Sequence, residues 1–497
     1  MQLFFGGLCL LVGVLSVIWT PFELLMDERL RMRPGLPAFD WWAVPPDSVF
    51  MKVYVFNVTN SERFLAGLDD KLDMVEYGPI TYLEKLEHSN ITFNENSTMS
   101  YTAKRSLQFL PDQNKGIDLN ATITVVNMPV LGFITYVNNR FPMGKVAFNW
   151  YLWGASPKVF RTLSVYDYLW NFTDPIMDTG RTYLPGIVPI TNLGVLQTMY
   201  MNKVDRLTVY TGTRWGDRRF FTLDNFQGRT RLPNFPDDSS CLQTVQGSTE
   251  GLIYSQRLQK NSSLLYWRKT LCKVIELNYV EEVDFSGVNA YSYKMPTTGY
   301  YRTHNDSDPD CYAGEPRLLD GLSDISKCFF NFPMALSLPH FYGTPLAVSK
   351  HITGLKPDAE KHLSYAIVEP TTGIPLESRA RSQSNLVVGK LTGFTAVYQK
   401  FSEMTLPMFW AEYSQQSLPN YLWGLIIIMV KVVPVAQVVF SSVMILVGTI
   451  LFFKVFKTLS SCQSSFSKHR QLNNLARNTI LGYEKEKEKK KESLMKR

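Results

Sequence analysis

The stretch that decides the fold is SVFMKVYVFNVT, residues Ser48 to Thr59. It is rich in β-branched and aromatic residues, a composition typical of a β-strand. Similar texture recurs in DRLTVYTGT and NAYSYKM, and the run HLSYAIV, EPTTGIP and LESRARSQSNLVVGKL predicts a strand, a turn and a strand. Pro370 and Gly373 mark that turn. We therefore expect a mainly β protein.

Helical periodicity is weaker than the strand signal. It lies mainly in SERFLAGLDDKL, where Ser61 could act as a cap, and in Lys145 to Leu169. Residues 23–420 exceed the usual size of one hydrophobic core, yet they contain no linker, charge block or repeat that would mark a boundary. These patterns predict one large domain with a sheet or barrel core and helices grouped at one end.

Both ends of the chain are apolar. Leu3 to Trp19 is a run of 17 uncharged residues, which fits either a short membrane anchor or a signal peptide with a marginal cleavage site. Tyr421 to Phe453 carries a single charge, Lys431, and its last 22 residues carry none. This second run predicts a transmembrane helix preceded by an interfacial segment.

The charge of the chain is concentrated after the second apolar run. Residues 454–497 hold 12 Lys or Arg and 4 Glu, a net of +8, whereas the whole chain is +7. The positive-inside rule places this tail in the cytoplasm. The rest of the chain is nearly neutral, so the basic balance gives no support to nucleic-acid binding. The boundaries predicted are 1–22 for the N-terminus and first helix, 23–420 for the body, 421–453 for the interfacial segment with the second helix, and 454–497 for the tail.

Glycosylation sequons and cysteines place the body outside the cytosol. Seven sequons lie in the body and none in the tail: Asn57, Asn90, Asn96, Asn120, Asn171, Asn261 and Asn305. Four cysteines lie within 88 residues of the body: Cys241, Cys272, Cys311 and Cys328. Their number suggests two disulfides with three possible connectivities, and no CxxC or histidine pairing favours a zinc site instead. Cys462, just past the second apolar run, is either a palmitoylation site or an unmodified thiol.

Leu119 to Tyr166 contains no Asp or Glu, but it carries four cations and nine aromatic residues. One interpretation is a surface that attracts anionic groups and offers apolar area to a lipid tail; the other is a core helix with cations on its exposed face. The candidate ligand-binding residues are Arg140, Lys145, Phe148, Trp150, Tyr151, Trp153, Lys158 and Arg161.

The sequence lacks the common catalytic motifs, namely GxSxG, HExxH, a P-loop and GxGxxG. The six histidines are scattered without metal-ligand spacing. Asp306, Asp308 and Asp310 alternate as in a calcium loop, but the loop glycine and terminal glutamate are missing. We expect no enzyme activity, no cofactor and no metal.

Seven motifs occur in the order in which one known family has them: YVFNVTN at 54–60, VEYGPITYLE at 75–84, LWNFTDP at 169–175, DISKC at 324–328, SLPHFYG at 337–343, EPTTGIPL at 369–376 and PMFWAEY at 407–413. With the two apolar ends and the four cysteines, this set resembles the class B scavenger receptor family. That family includes the fatty-acid translocase, the lysosomal integral membrane protein and the sensory-neuron membrane proteins of insects.

The resemblance implies a fold and a topology. The first apolar run would be retained, both termini would be cytoplasmic, and the body would be an antiparallel β-barrel with an apical helical bundle and an apolar tunnel. Cys241 would pair with Cys311 and Cys272 with Cys328, while a third bridge found in many relatives would be missing.

The resemblance also implies a function. The protein would bind lipids (fatty acids, sterols or carotenoids) or lipoprotein and apoptotic-cell ligands at the apex and pass lipid through the tunnel, with endocytosis or phagocytosis as the cellular role. It would lie in the plasma membrane or an endosomal-lysosomal membrane, where it could form a homo-oligomer. The alternatives are a lysosomal sorting receptor for a lumenal enzyme, which the tail disfavours because no acid precedes Ile480 and Leu481, and a phagocytic or adhesion receptor without lipid transfer.

Overall fold

The computed structural model describes residues 2–18, 21–141, 144–183, 188–200, 204–212, 217–232, 235, 241, 243–301, 311–314, 317–416 and 418–495. Two compact units emerge. One joins the two ends of the chain, Met1–Met26 and Ile426–Arg497, and the other is the body, Asp27–Leu425.

The strands of the described chain all belong to the body. They are β1 Val49–Val58, β2 Leu72–Phe93, β3 Thr98–Phe109, β4 Thr122–Val126, β5 Phe160–Ser164, β6 Val204–Tyr210, β7 Leu223–Phe226, β8 Leu264–Arg268, β9 Lys273–Phe285, β10 Val288–Lys294, β11 Ser323–Asp324, β12 Met334–Ser337, β13 Ile352–Thr353, β14 Tyr365–Val368, β15 Pro375–Val387 and β16 Thr405–Gln415.

The helices of the described chain range from 4 to 63 residues in length. They are α1 Gln2–Ile18, α2 Pro21–Arg29, α3 Pro37–Ala43, α4 Ser61–Ala66, α5 Met128–Arg140, α6 Lys145–Ala155, α7 Val165–Trp170, α8 Pro175–Tyr183, α9 Val195–Tyr200, α10 Ala359–His362, α11 Ala396–Gln399, α12 Asn420–Ile427 and α13 Val433–Met495.

One large sheet organises the body. Its main path runs β7-β6-β3-β2-β1-β16-β15-β14-β10-β9-β8, with antiparallel neighbours throughout. The stretch quoted first, β1, lies in the middle between β2 and β16, where both edges of the strand are paired. The prediction of a mainly antiparallel β protein with helices is confirmed. The path is open, however, so strand pairing alone does not make the predicted barrel.

The predicted strand, turn and strand around EPTTGIP are present as β14, a turn and β15. Both carboxylate oxygens of the buried Glu369 hold the turn, since they accept hydrogen bonds from the backbone N–H groups of Thr371 and Thr372 at 2.9 and 2.7 Å. Gly373 has φ of +76°, and a Cβ there would come within 2.3 Å of a backbone oxygen of Tyr254. The turn therefore requires glycine at this position.

Two helix predictions were too long. Helix α4 ends at Ala66 because Gly67 adopts a left-handed conformation, and the residues from Leu72 onward join β2. The predicted cap Ser61 is the first helical residue, while Asn60 stands at the N-cap. The region 145–169 is α6, β5 and the start of α7, because Phe160–Ser164 pairs with β4.

The largest hydrophobic core lies between one face of the central strands and the helices of the region 128–200. Buried side chains from β1 and β16 meet others from α5 and α7, for example Val55, Phe409, Ile134 and Leu169. The stretch Leu119 to Tyr166, which lacks acidic residues, thus supplies core residues from α5, as expected if it forms a core helix. It also supplies exposed residues from α6, which are described below.

Both disulfides that the resemblance implied are present. Cys241 is bonded to Cys311 and Cys272 to Cys328, with Cα atoms 5.6 and 6.2 Å apart. Five of the sequon asparagines are exposed: Asn90, Asn96, Asn120, Asn171 and Asn261. Asn57 is partly buried in β1 and its side-chain oxygen accepts a hydrogen bond from the Thr124 N–H, while Asn305 lies outside the described residues.

The unit formed by the chain ends is helical. Asn420–Met495 forms a helix that is long enough and apolar enough to cross a membrane. Helix α1 is long enough only when it is counted together with α2, from which it is separated by a bend. A π-helical turn at Ile428–Val432 precedes α13 where Pro434 cannot donate a hydrogen bond to the preceding turn. The predicted interfacial segment is therefore continuous with the helix in this structure.

Helices α1 and α13 pack closely through small residues. A Cβ added to Gly13 would come within 2.7 Å of Ile445, and one added to Gly448 would come within 2.7 Å of Leu10. The hydroxyls of Ser16 and Ser441, both buried, are 2.7 Å apart. Small residues of this kind allow helix backbones to approach within a membrane.

Candidate functional site

The body contains a large apolar cavity, here called cavity 1, which encloses about 1020 Å³ of unfilled space, part of it open to solvent. Strand β16 lines one side with Phe409, Ala411 and Tyr413, which share a face because side chains alternate along a strand. Met408, also on β16, lines the cavity too. The other lining residues come from α5, α8, α9, β12, β15 and nearby loops: Met128, Phe133, Tyr136, Met177, Val188, Pro189, Ile190, Leu193, Val195, Thr198, Met199, Thr270, Leu271, Phe329, Phe330, Phe332, Met334, Leu336, Ser382 and Ser384.

None of the described residues that line cavity 1 is charged. Most are aliphatic or aromatic, so water inside would find few hydrogen-bond partners. An alkyl chain placed there would gain roughly 0.8 kcal/mol for each buried methylene. The lining therefore suits an apolar ligand.

A second cavity, cavity 2, encloses about 970 Å³ and has a more polar lining. It includes the charged residues Glu84, Arg105, Glu250 and Arg268. Cavities 1 and 2 share three lining residues, namely Leu271, Ser382 and Tyr413. The two cavities are therefore neighbours, separated by a thin wall of side chains.

Tyr413, which lines both cavities, belongs to a cluster of polar groups beside cavity 2, and we call Glu84, Tyr200, Arg268 and Tyr413 the wall cluster. Arg268 forms an ion pair with Glu84, and its guanidinium carbon lies 3.7 Å from the centre of the Tyr413 ring. The Tyr200 hydroxyl donates to Glu84 at 2.6 Å and lies 3.2 Å from the Tyr413 hydroxyl. Strands β2, β8 and β16 and helix α9 are thus joined at one point.

The wall cluster is charged although it is buried. Burial alone would raise the pKa of Glu84, but Arg268 and Arg105 lower it below its ordinary value. Burial raises the pKa of Tyr413 to about 12, so its phenol stays protonated. A second pair, Arg105 with Glu250 at 2.5 Å, stands beside the first. Because removing one partner would strand a buried charge, we infer that the wall is rigid.

Seven of the eight predicted ligand-binding residues fall on α5, α6 and β5, and the eighth, Lys158, lies in the connection between α6 and β5. Trp150 and Trp153 on α6 are 70% and 74% exposed, and Val146, one turn before Trp150, is 67% exposed. Spacing of three and four residues places these side chains on one face of the helix. We call Val146, Trp150 and Trp153 the α6 surface. Phe148 and Tyr151 point elsewhere, since both are partly buried against the core.

The four predicted cations have different environments. Arg161 forms a 2.9 Å ion pair with the buried Asp174, and Lys145 donates to the Thr392 carbonyl and lies over the Phe394 ring. Both therefore have structural partners within the body. Lys158 and Arg140 are exposed, and Arg140 also takes part in an interaction. The prediction that all four attract anions thus rests most firmly on Lys158.

No sequence pattern pairs any of the six scattered histidines, yet His340 and His362 stack with ring centres 4.6 Å apart. Each accepts a backbone N–H at its Nδ1, from Lys356 and Asp358 respectively. The Nε2 of His340 lies 2.7 Å from Glu76, a carboxylate that Trp410 also contacts. The fold, rather than any sequence spacing, brings these groups together.

Acidification should weaken the body through His362. Burial lowers the pKa of His362 to about 4, and His340 adds to the shift. Between pH 6.5 and pH 4 the unfolded chain therefore binds the proton more readily, and the free energy of unfolding falls as the pH falls. We expect a loss of about 2 kcal/mol between pH 6.5 and pH 5. Thermal unfolding of the wild type and of His362→Gln at both pH values measures it.

The control for this prediction is the difference between the two proteins. Burial also lowers the pKa of His88, so the wild-type protein has other sources of acid sensitivity. His362→Gln keeps a hydrogen-bond acceptor for the Asp358 N–H but does not titrate. An equal change in melting temperature for both proteins would contradict the assignment to His362.

Among the described residues no group of three or more His, Cys, Asp or Glu could hold a metal ion. Asp306, Asp308 and Asp310, whose spacing resembles a calcium loop, lie outside the described residues.

Comparisons with known proteins agree with the fold and the motifs. A profile of the CD36 family matches residues 4–458, nearly the whole chain. Scavenger receptor class B member 1 of Rattus norvegicus is 27% identical over 469 residues, which cover 93% of this chain and 89% of the relative. Lysosome membrane protein 2 of Homo sapiens is 28% identical over 407 residues, which cover 78% of this chain and 81% of the relative. The predicted resemblance is confirmed: this chain belongs to the CD36 family and is a scavenger-type membrane receptor.

Proposed function

We propose that this receptor binds lipid in cavity 1 and passes it between a particle and the membrane. The observation that carries the proposal is the apolar lining of cavity 1, in which none of the described residues is charged. A lipid monomer crosses water slowly because each methylene must be hydrated. A protein interior lined by apolar side chains lowers that barrier without a cofactor or a chemical step, so transfer would be passive.

We also propose that the body is a barrel around the two cavities. The segment Gly247–Thr249 supports this idea, because it contacts both ends of the open strand path. On one side the Leu223 N–H of β7 donates to the Ser248 carbonyl at 2.8 Å; on the other, the Trp267 N–H of β8 donates to the Thr249 carbonyl at 2.8 Å. A closed body would shield a bound lipid from water on all sides.

The proposed topology has two membrane anchors and an external body. The close packing of α1 on α13 supports a retained first anchor, and the exposed sequons and the disulfides support an oxidising compartment for the body. Plasma membrane and lysosomal membrane both fit the relatives. Palmitoylation of Cys462, which is exposed, and self-association remain proposals.

The α6 surface is the proposed capture site for lipid-bearing particles. Replacing Trp150 and Trp153 together by Ser should weaken particle binding about tenfold, because two large aromatic side chains leave the contact. Lys158→Ser should have a smaller effect of about twofold, since one exposed charge is screened by salt. Binding of labelled lipoprotein or anionic vesicles to cells with matched surface expression measures both. Full binding by the double variant would remove the α6 surface from the proposal.

A direct test uses the full chain in cells and a lipid whose alkyl chain carries a photoreactive diazirine. After irradiation, peptide mapping should find the label on cavity 1 segments such as 329–336 and 408–413. Label found only on the exposed surface would contradict lipid binding inside the body. That outcome would favour a phagocytic or adhesion receptor, or a sorting receptor that binds a protein.

A further inference from the structure

Residues 454–483, the part of α13 that follows the apolar run, contain no Asp or Glu. We call this stretch the juxtamembrane segment. It carries five cations and thus a net charge of +5: Lys454, Lys457, Lys468, Arg470 and Arg477. The next nine residues, EKEKEKKKE at 484–492, mix both signs and add only +1. The five cations therefore have no acidic neighbour within the juxtamembrane segment.

The second half of the juxtamembrane segment is an amphipathic helix. Because a helix advances about 100° per residue, five apolar residues fall within an arc of about 120°: Phe466, Leu472, Ala476, Ile480 and Tyr483. The opposite face is polar and holds Ser467, Gln471, Asn474 and Asn478. Lys468 and Arg477 border the apolar arc on its two sides. His469 and Asn473 fall within the arc, so the apolar face is narrow.

The apolar arc is uncovered by any of the described residues. Phe466 is 80% exposed, and Leu472, Ile480 and Tyr483 are between 61% and 69% exposed. Large apolar side chains repeated along one face of a helix are typical of a contact with a partner or a membrane. The segment follows the apolar part of a helix that could cross a membrane, so a bilayer surface lies within its reach.

Charge decides between a bilayer and a second copy of the chain. Two juxtamembrane segments side by side would bring together two stretches of +5 each, with no acid in either to offset the repulsion. An anionic lipid surface has the opposite sign, and each Lys or Arg near it is attracted. Cations at the borders of an apolar face suit a bilayer, because their long side chains reach head groups while the apolar residues enter the interface.

A serine-rich stretch gives the helix a place to turn from the membrane normal into the membrane plane. Five of the eight residues 460–467 are serine. The hydroxyls of Ser460 and Ser464 donate to backbone carbonyls three residues earlier, at 3.4 and 3.0 Å. Serine side chains bonded to the preceding turn weaken a helix and often bend it. The amphipathic residues begin at the end of this stretch, at Phe466.

We propose that the juxtamembrane segment docks on anionic lipid of the adjoining leaflet, with residues 466–483 lying as a helix in the interface. Under the proposed topology this is the cytoplasmic leaflet. The inference adds a partner for the tail and does not depend on lipid transfer by the body. A tail held in this way responds to membrane composition, because a leaflet poor in anionic lipid releases it.

The test uses the full chain in nanodiscs of phosphatidylcholine, with or without about 30 mol% phosphatidylserine. The free thiols are removed by Cys9→Ser and Cys462→Ser. An environment-sensitive fluorophore is then attached at one added cysteine, either Ala476→Cys in the apolar arc or Asn478→Cys on the polar face. We expect position 476 to be about tenfold less accessible than position 478 to an aqueous quencher when phosphatidylserine is present.

Two conditions should abolish this difference. Without phosphatidylserine, the two positions should differ less than about twofold. Raising the salt to about 1 M should act in the same way, because the Debye length falls to about 3 Å. The salt comparison keeps the native cations, so it tests their charge without a substitution.

The charge variant combines Lys468→Gln, Arg470→Gln and Arg477→Gln. Each of these cations lies close to the apolar arc, so their joint loss should weaken docking and raise quencher access at position 476 about tenfold in the presence of phosphatidylserine.

The chain offers a matched control, which combines Lys485→Gln, Lys487→Gln and Lys489→Gln. It lowers the net charge of the tail by the same amount, but in the stretch where cations alternate with Glu. Position 476 should stay protected in this control. An equal gain of access in both triple variants would overturn the assignment to the juxtamembrane segment.

The remaining outcomes also decide the proposal. Protection of position 476 that is the same in both lipid mixtures would show that protein, such as a second copy of the chain, covers the apolar arc, and would overturn it. Equal access at positions 476 and 478 with phosphatidylserine present would show that the segment stays in water, and would also overturn it. Protection that requires both phosphatidylserine and low salt supports it.

Discussion

Replacing Ala411 by Phe should reduce lipid transfer at least about tenfold while particle binding stays normal. Ala411 lies on β16 between Phe409 and Tyr413, on the face that lines cavity 1, and its side chain is the smallest there. A phenyl ring at this position would occupy the volume that the alkyl chain needs. Since the α6 surface is formed by other residues, capture on the outside should be unaffected.

Cells that take up a labelled cholesteryl ester or fatty alcohol from bound particles provide the measurement, with bound particles counted in parallel. Ala411→Leu gives an intermediate volume and should give an intermediate loss, which separates cavity filling from a folding defect. Normal transfer by a well-expressed Ala411→Phe protein would show that lipid does not travel through cavity 1.

Among substitutions that replace only one side-chain heavy atom, Glu412→Gln should destabilise the body the most. Arg381 on β15 and Glu412 on β16 lie opposite each other in the sheet. Their side chains are 3% and 5% exposed, respectively, and the Nε of Arg381 donates a hydrogen bond to Glu412 at 2.7 Å. Lys52 lies 3.4 Å from the other oxygen. Glu412→Gln keeps the shape but leaves the guanidinium without its counter-charge, and about 3–5 kcal/mol of stability should be lost.

The melting temperature measures this effect. All variants are heated at the same rate, because many large disulfide-bonded proteins unfold irreversibly and their apparent melting temperature then depends on the heating rate. The matched control removes both charges with Arg381→Met and Glu412→Met, which should recover most of the loss since no unpaired charge remains between these two positions. A double variant as unstable as Glu412→Gln would show that packing, rather than charge compensation, is responsible.

The sequence predicted the strands better than the helices for a physical reason. β1, β6, β10, β14 and β15 have local patterns of β-branched and aromatic residues, and a turn such as EPTTGIP carries its own stop signal. Helix ends in this chain depend on single residues in special conformations, such as Gly67, or on pairing with a distant strand, as for β5. Neither a special backbone conformation nor pairing with a distant strand can be seen in the hydrophobic periodicity of the sequence.

The candidate site also has one part that the sequence predicts and another that only the fold reveals. The α6 surface could be found from the sequence because its aromatic residues are neighbours in the chain. The wall cluster could not, since Glu84, Tyr200, Arg268 and Tyr413 come from four distant elements. Two of them nevertheless close recognised motifs, Glu84 in VEYGPITYLE and Tyr413 in PMFWAEY. The motifs marked the right residues, but only the fold gives the reason.

The wall cluster has a kinetic consequence for the proposed transfer. In the proposed transfer, a lipid that passes from cavity 1 to cavity 2 beside Tyr413, which lines both, would have to displace Arg268 from the Tyr413 ring. Separate events would then control the entry and exit of lipid. Contact with a donor particle would fill cavity 1, and rare opening of the wall cluster would empty it. Such a receptor behaves as a reservoir: it stays loaded between deliveries, and its throughput is set by the protein rather than by the lipid supply outside.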